Sequence, residues 1–253
     1  MTNGPRILTL DIETQAHLVW TFGLFKQNIG INQIKKPGRV LGVGYKWLDK
    51  PKARFVSEFH HGREAMLQEV WDQVNEADAV VTYNGAGFDM PWLDGEWWES
   101  GLTEPSPYKN IDLYRTVKSR MRRASGKLDW IAYEAGLGHK TSTGGFDLWK
   151  GCEEGDTKAW ARMRSYCLRD VRLTEDLYLS LRPWIKSHPH VGLYGPTVEE
   201  NVCQTCGSAN VQKRGYAYTN LGRYQRWQCV SAGCGRWSRG KKLLDSVDLR
   251  GTS

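Results

Sequence analysis

Three apolar runs precede the first amphipathic helix of this chain, and a fourth follows that helix at once. Residues 6–10 (RILTL) read as a strand running into acids, and 40–48 (VLGVGYKWL) and 52–58 (KARFVSE) as a second and third, with Asp49-Lys50-Pro51 as the turn between them. Residues 62–76 place Met66, Leu67, Val70, Trp71 and Val74 on one helical face, and 78–83 (DAVVTY) follow as a short buried strand. Strand, strand, strand, helix, strand predicts an α/β fold that starts as a meander. Beyond it the sequence predicts an Asp89-capped helix to about Gly101, a strand near 108–112, a basic helix over 113–123 and a short helix over 127–136. A long helix over 156–182 starts at Asp156-Thr157, stops at Pro183, and carries Trp160, Met163, Cys167, Val171, Thr174, Leu177, Tyr178 and Leu181 on its apolar side.

With 253 residues, 40% hydrophobic and 25% charged, the chain has the balance of a globular protein, which excludes a disordered or collagen-like one. Its length suits one large domain with a small one appended. Residues 187–198 carry prolines and glycines without periodicity and read as a linker, His188 and His190 included, between a domain over 1–186 and another over 199–253. The start, MTNGPRILTLDIET, meets acids after four apolar residues, and no apolar run reaches 18 residues. A cytoplasmic protein with no membrane partner is expected. Of the net charge of +7, residues 197–253 hold +5, so a basic tail on a nearly neutral body points to an anionic polymer as partner.

Three carboxylate motifs stand apart from this background. In Asp11-Ile12-Glu13, at the end of the first strand, residues i and i+2 point to the same side, so two like charges meet and repel unless a cation joins them. Asp94-Gly95-Glu96 has the same spacing but falls in a helix, where i and i+2 diverge. Asn84-Gly85-Ala86-Gly87-Phe88-Asp89 follows the buried strand 78–83 and puts Asp89 at a strand's C-terminal edge, where α/β sheets assemble sites; its plain structural role would be a helix cap. Tyr166-Cys167-Leu168-Arg169-Asp170 sits within the long helix, with Tyr166 and Asp170 one turn apart on one face. The same Tyr-to-Asp spacing at Tyr45/Asp49 and Tyr108/Asp112 falls on strand or turn and is too extended for one site. Asp11, Glu13, Asp89 and Asp170 together offer hard oxygen ligands suited to Mg²⁺ or Mn²⁺.

With these motifs in this order, the chain over roughly 6–182 closely resembles the DEDD family of 3′→5′ exonucleases, best known as proofreading domains. LDIET resembles the first family motif as family B DNA polymerases carry it, NGAGFD the second and YCLRD the third. Tyrosine four residues before the last aspartate, with Ser165 five before it, matches the tyrosine subclass. The resemblance implies a ribonuclease-H-like mixed sheet flanked by helices, and two-metal phosphodiester hydrolysis with two Mg²⁺ or Mn²⁺ ions. Asp11 would bridge both ions, Glu13 and Asp170 complete the tighter site, and Asp89 hold the second ion through water. Tyr166, whose phenol has a pKa too high for a general base at neutral pH, would position the attacking water. Asn84 and Phe88 would contact the strand's last nucleotides, and Thr14 would lie next to the 3′ end. The implied substrate is the 3′ end of single-stranded DNA, with RNA as the alternative, in proofreading, replication or repair. A phage or bacterial setting suits so compact an exonuclease. A non-catalytic accessory protein that binds nucleic acid is the rival reading; it predicts a missing carboxylate, and all four are present.

Two further stretches could guide a strand. Residues 15–39 contain Trp20, Phe22 and Phe25 and end in Lys35, Lys36 and Arg39; the aromatics either stack a frayed base or pack inside. Arg115, Lys118 and Arg122 can share one face of the basic helix as a phosphate track. In the tail, Cys203-x-x-Cys206 and Cys229-x₄-Cys234 have the spacing of a small β-rich zinc ribbon with one structural Zn²⁺. Between them, two strands are expected around Asn220-Leu221-Gly222, where Arg226 and Trp227 suit single-strand binding and docking to a DNA polymerase or other replication protein is the competing use.

Overall fold

The computed structural model describes residues 4–139, 145–194 and 201–249. Strand β1 (Ile7–Thr14) is followed by a small hairpin of β2 (Leu18–Val19) and β3 (Ile34–Lys36), then by β4 (Val40–Trp47) and β5 (Arg54–Ser57). Helices α1 (Glu58–His61) and α2 (Arg63–Asn75) lead to β6 (Ala79–Thr82), and α3 (Asp89–Glu99) leads to β7 (Lys109–Asp112). After them come α4 (Leu113–Arg120), α5 (Leu128–Glu134), α6 (Asp147–Glu153) and α7 (Thr157–Leu181). The main sheet has the order β5-β4-β1-β6-β7, antiparallel among β5, β4 and β1 and parallel from β1 through β6 to β7. This is the mixed, helix-flanked sheet that the family resemblance implies.

Alternation along β1 decides where the chemistry goes. Leu8, Leu10 and Ile12 join Met66, Leu67 and Val70 of α2 and Leu93 and Trp97 of α3 on one face. Each such buried side chain stabilises the fold by roughly 1.5–3 kcal/mol. Ile7 joins Leu173, Leu177 and Tyr178 of α7 on the other face, so Asp11 and Glu13, in step with Ile7, point toward α7. Asp156 caps α7 by accepting from the Lys158 amide at 2.8 Å. Lys46 of β4 fixes the rotation of α7 through a buried ion pair with Glu175, at 2.7 and 2.8 Å to the two oxygens. Among the described residues, no helix is long and apolar enough to cross a membrane.

Several expectations are corrected. The basic helix ends at Arg120, because Met121 is extended (φ −135°, ψ 143°) and packs on the cluster around Leu128 and Leu177. Arg122 therefore leaves the face that Arg115 and Lys118 share. Trp20, Phe22 and Phe25 are 66, 110 and 84% exposed rather than packed inside, since the short β2–β3 hairpin brings no element to cover them. Helix α6 was not foreseen; at seven residues it is too short for periodicity, though Leu148 and Cys152 bury a consistent side. In the tail, β8 (Val211–Tyr218) and β9 (Gly222–Cys229) are the two strands expected around Asn220-Leu221-Gly222, and a third, β10 (Trp237–Ser246), which was not foreseen, joins them in the order β10-β9-β8. Register breaks between Arg239 and Leu243 and between Leu243 and Asp245 blur the alternation of β10.

His188, read as linker, is buried against α7. Its Nδ1 lies 2.7 Å from the Pro189 carbonyl, which can only accept, so Nδ1 carries the proton and Nε2 accepts from the Tyr178 hydroxyl at 2.7 Å. Burial pushes the imidazole down from 6.5 to about 4. Between those values the unfolded chain takes up a proton that the native imidazole refuses, so this contribution is complete above pH 6.5 and is lost as pH falls toward 4. The loss is of the order of 3 kcal/mol. Denaturant unfolding of wild type and His188→Gln across that window checks it: the stability difference between them should shrink on acidification, and a constant difference would contradict the assignment.

Candidate active site and metal centre

Asp11 and Glu13 pair across the ladder with Gly44 and Gly42 of β4, so no β4 side chain stands beside either carboxylate. Helix α7 fills part of that space. A Cβ on Gly44 would meet Cys167 Sγ at 2.7 Å and Val171 Cγ2 at 2.9 Å, so only glycine lets the helix lie this close. The Cys167 thiol donates to the Asp11 carbonyl at 3.7 Å and lies 4.0 Å from Asp11 Oδ2. Ligand atoms of Asp11, Glu13 and Cys167 all fall within 4.8 Å of one another. Burial, then the charges of Asp11, Glu13 and Asp170, push that thiol well above its ordinary value, which places all three carboxylates in its field. Asp170, one turn after Cys167, is 1% exposed.

Asp89 reaches the backbone of β1 between Asp11 and Glu13 from the β6–α3 junction. The expected cap is corrected: Phe88 holds the N-cap position, and Asp89 Oδ1 instead accepts from the Ile12 amide at 3.1 Å. The reason lies in the ladder. Strand β6 pairs with β1 only over Ile7–Thr9, so farther along β1 no strand takes the Ile12 N–H on that side, and the carboxylate does. The turn that aims Asp89 is tight. Asn84 has φ of +68°, and a Cβ on Gly85 would meet Thr82 Oγ1 at 2.3 Å. Asp112 braces it, accepting from the Asn84 amide at 3.0 Å and the Ala86 amide at 3.4 Å while capping α4 through the Tyr114 amide at 2.9 Å.

An open cavity of about 550 Å³ fronts Asp11, walled by Tyr83, Asn84, Tyr114, Lys127 and Asp129. Asn84 thus shares a cavity with Asp11. Phe88, 42% exposed and edge-on to Trp92 at 6.4 Å, lines a neighbouring depression instead. Thr14 closes β1 at a register irregularity opposite Val40. Tyr166, one turn before Asp170, is half-buried against the cluster of Leu41, Phe55, Leu148 and Met163. Arg115 lies within 3.7 Å of Asp112, and Lys118 sits 5.9 Å from the Tyr114 ring. Sequence reasoning missed Cys167 as a neighbour of the carboxylates, and Asp112 as their brace. Asp112 carried one usable signal: an aspartate between a strand and a basic helix is a preferred cap.

In the tail, the sulfurs of Cys203, Cys206, Cys229 and Cys234 lie within 4.8 Å of one another. Cys203–Cys234 and Cys206–Cys229 are both 3.7 Å apart, far beyond a disulfide bond and close to the edge of about 3.8 Å of a tetrahedron with metal–sulfur bonds of about 2.3 Å. The donor set fits a tetrahedral metal. Alternation along β9 separates Arg226 from Trp227. Arg226 stacks on Trp237 at 4.9 Å on one face, beside Arg239 on Tyr224 at 4.2 Å; Lys213 lies 5.6 Å from Trp227 on the other, beside Arg223 on Tyr216 at 4.7 Å.

No curated protein matches the chain. The fold is similar to that of the family B DNA polymerase from the hyperthermophilic archaeon Pyrobaculum calidifontis, with a TM-score of 0.53 and 20% identity over 71% of this chain and 25% of that one. The chain therefore matches about a quarter of that polymerase's length, and the likeness is one of fold. A model of the RNase_H superfamily matches residues 30–182, beginning after the Asp11–Glu13 strand and taking in Asp89, Tyr166 and Asp170. That match spans more than half of the sequence and coincides with the mixed sheet and its helices, and the chain belongs to the RNase_H superfamily.

Proposed function

We propose that this chain is a metal-dependent 3′→5′ exonuclease of the tyrosine DEDD subclass, removing nucleotides from the 3′ end of single-stranded DNA. The observation that carries the reading is the hydrogen bond from the Ile12 amide to Asp89, which joins the second carboxylate motif to the midpoint of the first across 77 residues of sequence. Cys167, between Tyr166 and Asp170, supplies the matching link from the third motif to Asp11. A cap and a chance Asp-x-Glu would have no reason to meet.

The carboxylates fit hard divalent cations: Glu13, Asp89 and Asp170 are buried and Asp11 half-buried, with ligand atoms of Asp11 and Glu13 within 4.8 Å of each other. Asp11, Glu13, Asp89 and Asp170 would hold two Mg²⁺ or Mn²⁺ ions. Bound there, such ions stabilise charge on the attacking and leaving oxygens of an in-line phosphodiester displacement. Asn84, at the mouth of the cavity, would contact the terminal nucleotide, with Phe88 stacking nearby and Thr14 at the edge of the 3′ end. Tyr166 would orient water through its hydroxyl one helical turn from Asp170. In the tail, the four cysteines would hold Zn²⁺, and the interleaved cations and aromatics of β8–β10 favour a nucleic-acid strand over a protein as the ribbon's partner.

A 5′-labelled single-stranded DNA and its RNA counterpart, each with a free or a blocked 3′ end, test this with Mg²⁺ or Mn²⁺ present. The expected result is a metal-dependent ladder that shortens only from a free 3′ end and forms faster on DNA. Internal cleavage of the blocked strand, or no cleavage of any strand, would overturn the exonuclease assignment, and faster hydrolysis of RNA would replace the substrate.

A further inference from the structure

A second concave site lies beside the one described, and its lining is basic. The cavity, about 240 Å³, sits between α4 and the turn after α7 and is lined by Arg115, Thr116, Ser119, Arg120, Lys186 and Ser187. These are three cations and three hydroxyls. Asp112, the acid on its wall, accepts from the amides of Asn84, Ala86, Tyr114 and Arg115 and lies 3.7 Å from the Arg115 guanidinium, which leaves two further cations facing the cavity. Trp184, 53% exposed, forms another part of the wall.

The position is as informative as the chemistry. Tyr114 and Arg115 are consecutive on α4, yet the first lines the cavity in front of Asp11 and the second lines this one, so the two sites adjoin. On the far side, Arg120 Nε donates to the Trp184 carbonyl at 3.3 Å, while Arg236, two residues after Cys234 in the tail, donates to the Pro183 carbonyl at 2.5 Å. Cations from α4, from the turn after α7 and from the ribbon thus gather along one seam. Like charges held together repel, and an anion that joins them relieves the repulsion.

We infer that this cleft holds a backbone phosphate of the bound strand, some nucleotides away from its 3′ end, and leads that strand from the carboxylate cluster toward the ribbon. The guanidiniums and Lys186 supply charge-assisted hydrogen bonds to phosphate oxygens, Ser187 adds a hydroxyl, and Trp184 offers a face to an adjacent base. The inference rests on the reading of the chain as a nuclease for its strand, but the binding it asserts is measured without hydrolysis.

The test uses the full chain with its tail metal in place, Ca²⁺ instead of Mg²⁺, and 3′-blocked DNA strands of graded length from a dinucleotide upward. In wild type, affinity should step up once the strand is long enough to reach the cleft. In the Arg115→Gln/Lys186→Gln double variant that step should fall by about tenfold, with dinucleotide binding unchanged and the salt dependence of long-strand binding shallower by about 0.7 for each phosphate no longer neutralised. Ser187→Glu, which places a negative charge at the exposed mouth, should remove the same step and keeps the test open if the double variant fails to fold. Unchanged long-strand affinity in both variants, or equal loss at every length, would overturn the inference. So would inorganic phosphate or a nucleoside monophosphate displacing the long strand at its own dissociation constant, since the cleft would then be a site for free anions. If wild type shows the length-dependent step and yet hydrolyses nothing, the nuclease reading fails and the cleft stands.

Discussion

Asp89→Asn and Asp170→Asn are each expected to slow 3′-end hydrolysis by a factor of ~10³ or more while leaving strand binding in Ca²⁺ within a few-fold of wild type. A thousandfold loss corresponds to about 4 kcal/mol of transition-state stabilisation, which is what removing one anionic ligand from a site that neutralises developing charge should cost. Asparagine is the informative replacement at position 89, because its side-chain oxygen can still accept from the Ile12 amide, now 3.1 Å from Asp89 Oδ1. The turn stays, and only the charge goes. Thermal unfolding without divalent cations separates chemistry from folding: taking a negative charge out of a cluster that buries Glu13, Asp89 and Asp170 should leave the midpoint unchanged or raise it. Tyr166→Phe should cost less, about 10- to 100-fold, because a positioned hydroxyl is lost and the carboxylates are not. Retention of a tenth of wild-type turnover by either aspartate variant would sink the assignment of these carboxylates.

How much of this was legible beforehand follows from the range of the interactions involved. The α/β order, α7 and the pairing of Asp11 with Glu13 rest on local periodicity, which a sequence displays directly. Convergence of the three motifs was legible only through family resemblance; nothing local in Asn84–Asp89 says that its carboxylate will turn back to β1 rather than cap its own helix. What decides it is the length of β6. Had β6 paired with β1 two residues farther, the Ile12 amide would have had a strand for a partner and Asp89 would have been free to cap. Such a competition between distant hydrogen-bond donors leaves no periodic trace. The same holds for Gly44, which reads as a weak point in a strand and is the place where α7 comes closest to β4. Met121 shows the opposite failure. The sequence suggested a basic helix over 113–123, but one apolar side chain with a core to join ended it at Arg120, and the basic surface was divided between the helix and the loop after it.

The tail makes the second large prediction, because it has almost no apolar core of its own. Among the described residues its buried side chains are Cys203, Thr205, Cys229 and Cys234, and the hydrophobic cluster there consists of cysteines with Val211 alongside. The aromatics that might have formed a core, Tyr216, Tyr218 and Trp237 among them, are 43–71% exposed. A three-stranded sheet without a buried apolar face is not stable by itself, so a metal held by the four cysteines would be what folds it. A structural zinc contributes on the order of 10–16 kcal/mol of apparent binding energy at neutral pH, far more than these few contacts supply. Zinc analysis of the purified chain should give one ion per chain. Stripping it with a chelator, or Cys203→Ser with Cys229→Ser, should abolish amide protection across β8–β10 while protection in β1, β4, β6 and α7 persists. Once divalent cations are restored, hydrolysis of a short strand should survive and affinity for a long one should drop, because the carboxylates lie in the other sheet. Persistent protection in β8–β10 with no metal bound would show that the sheet is held by something other than its four sulfurs, and collapse of both sheets together would show that the two do not fold as separate modules.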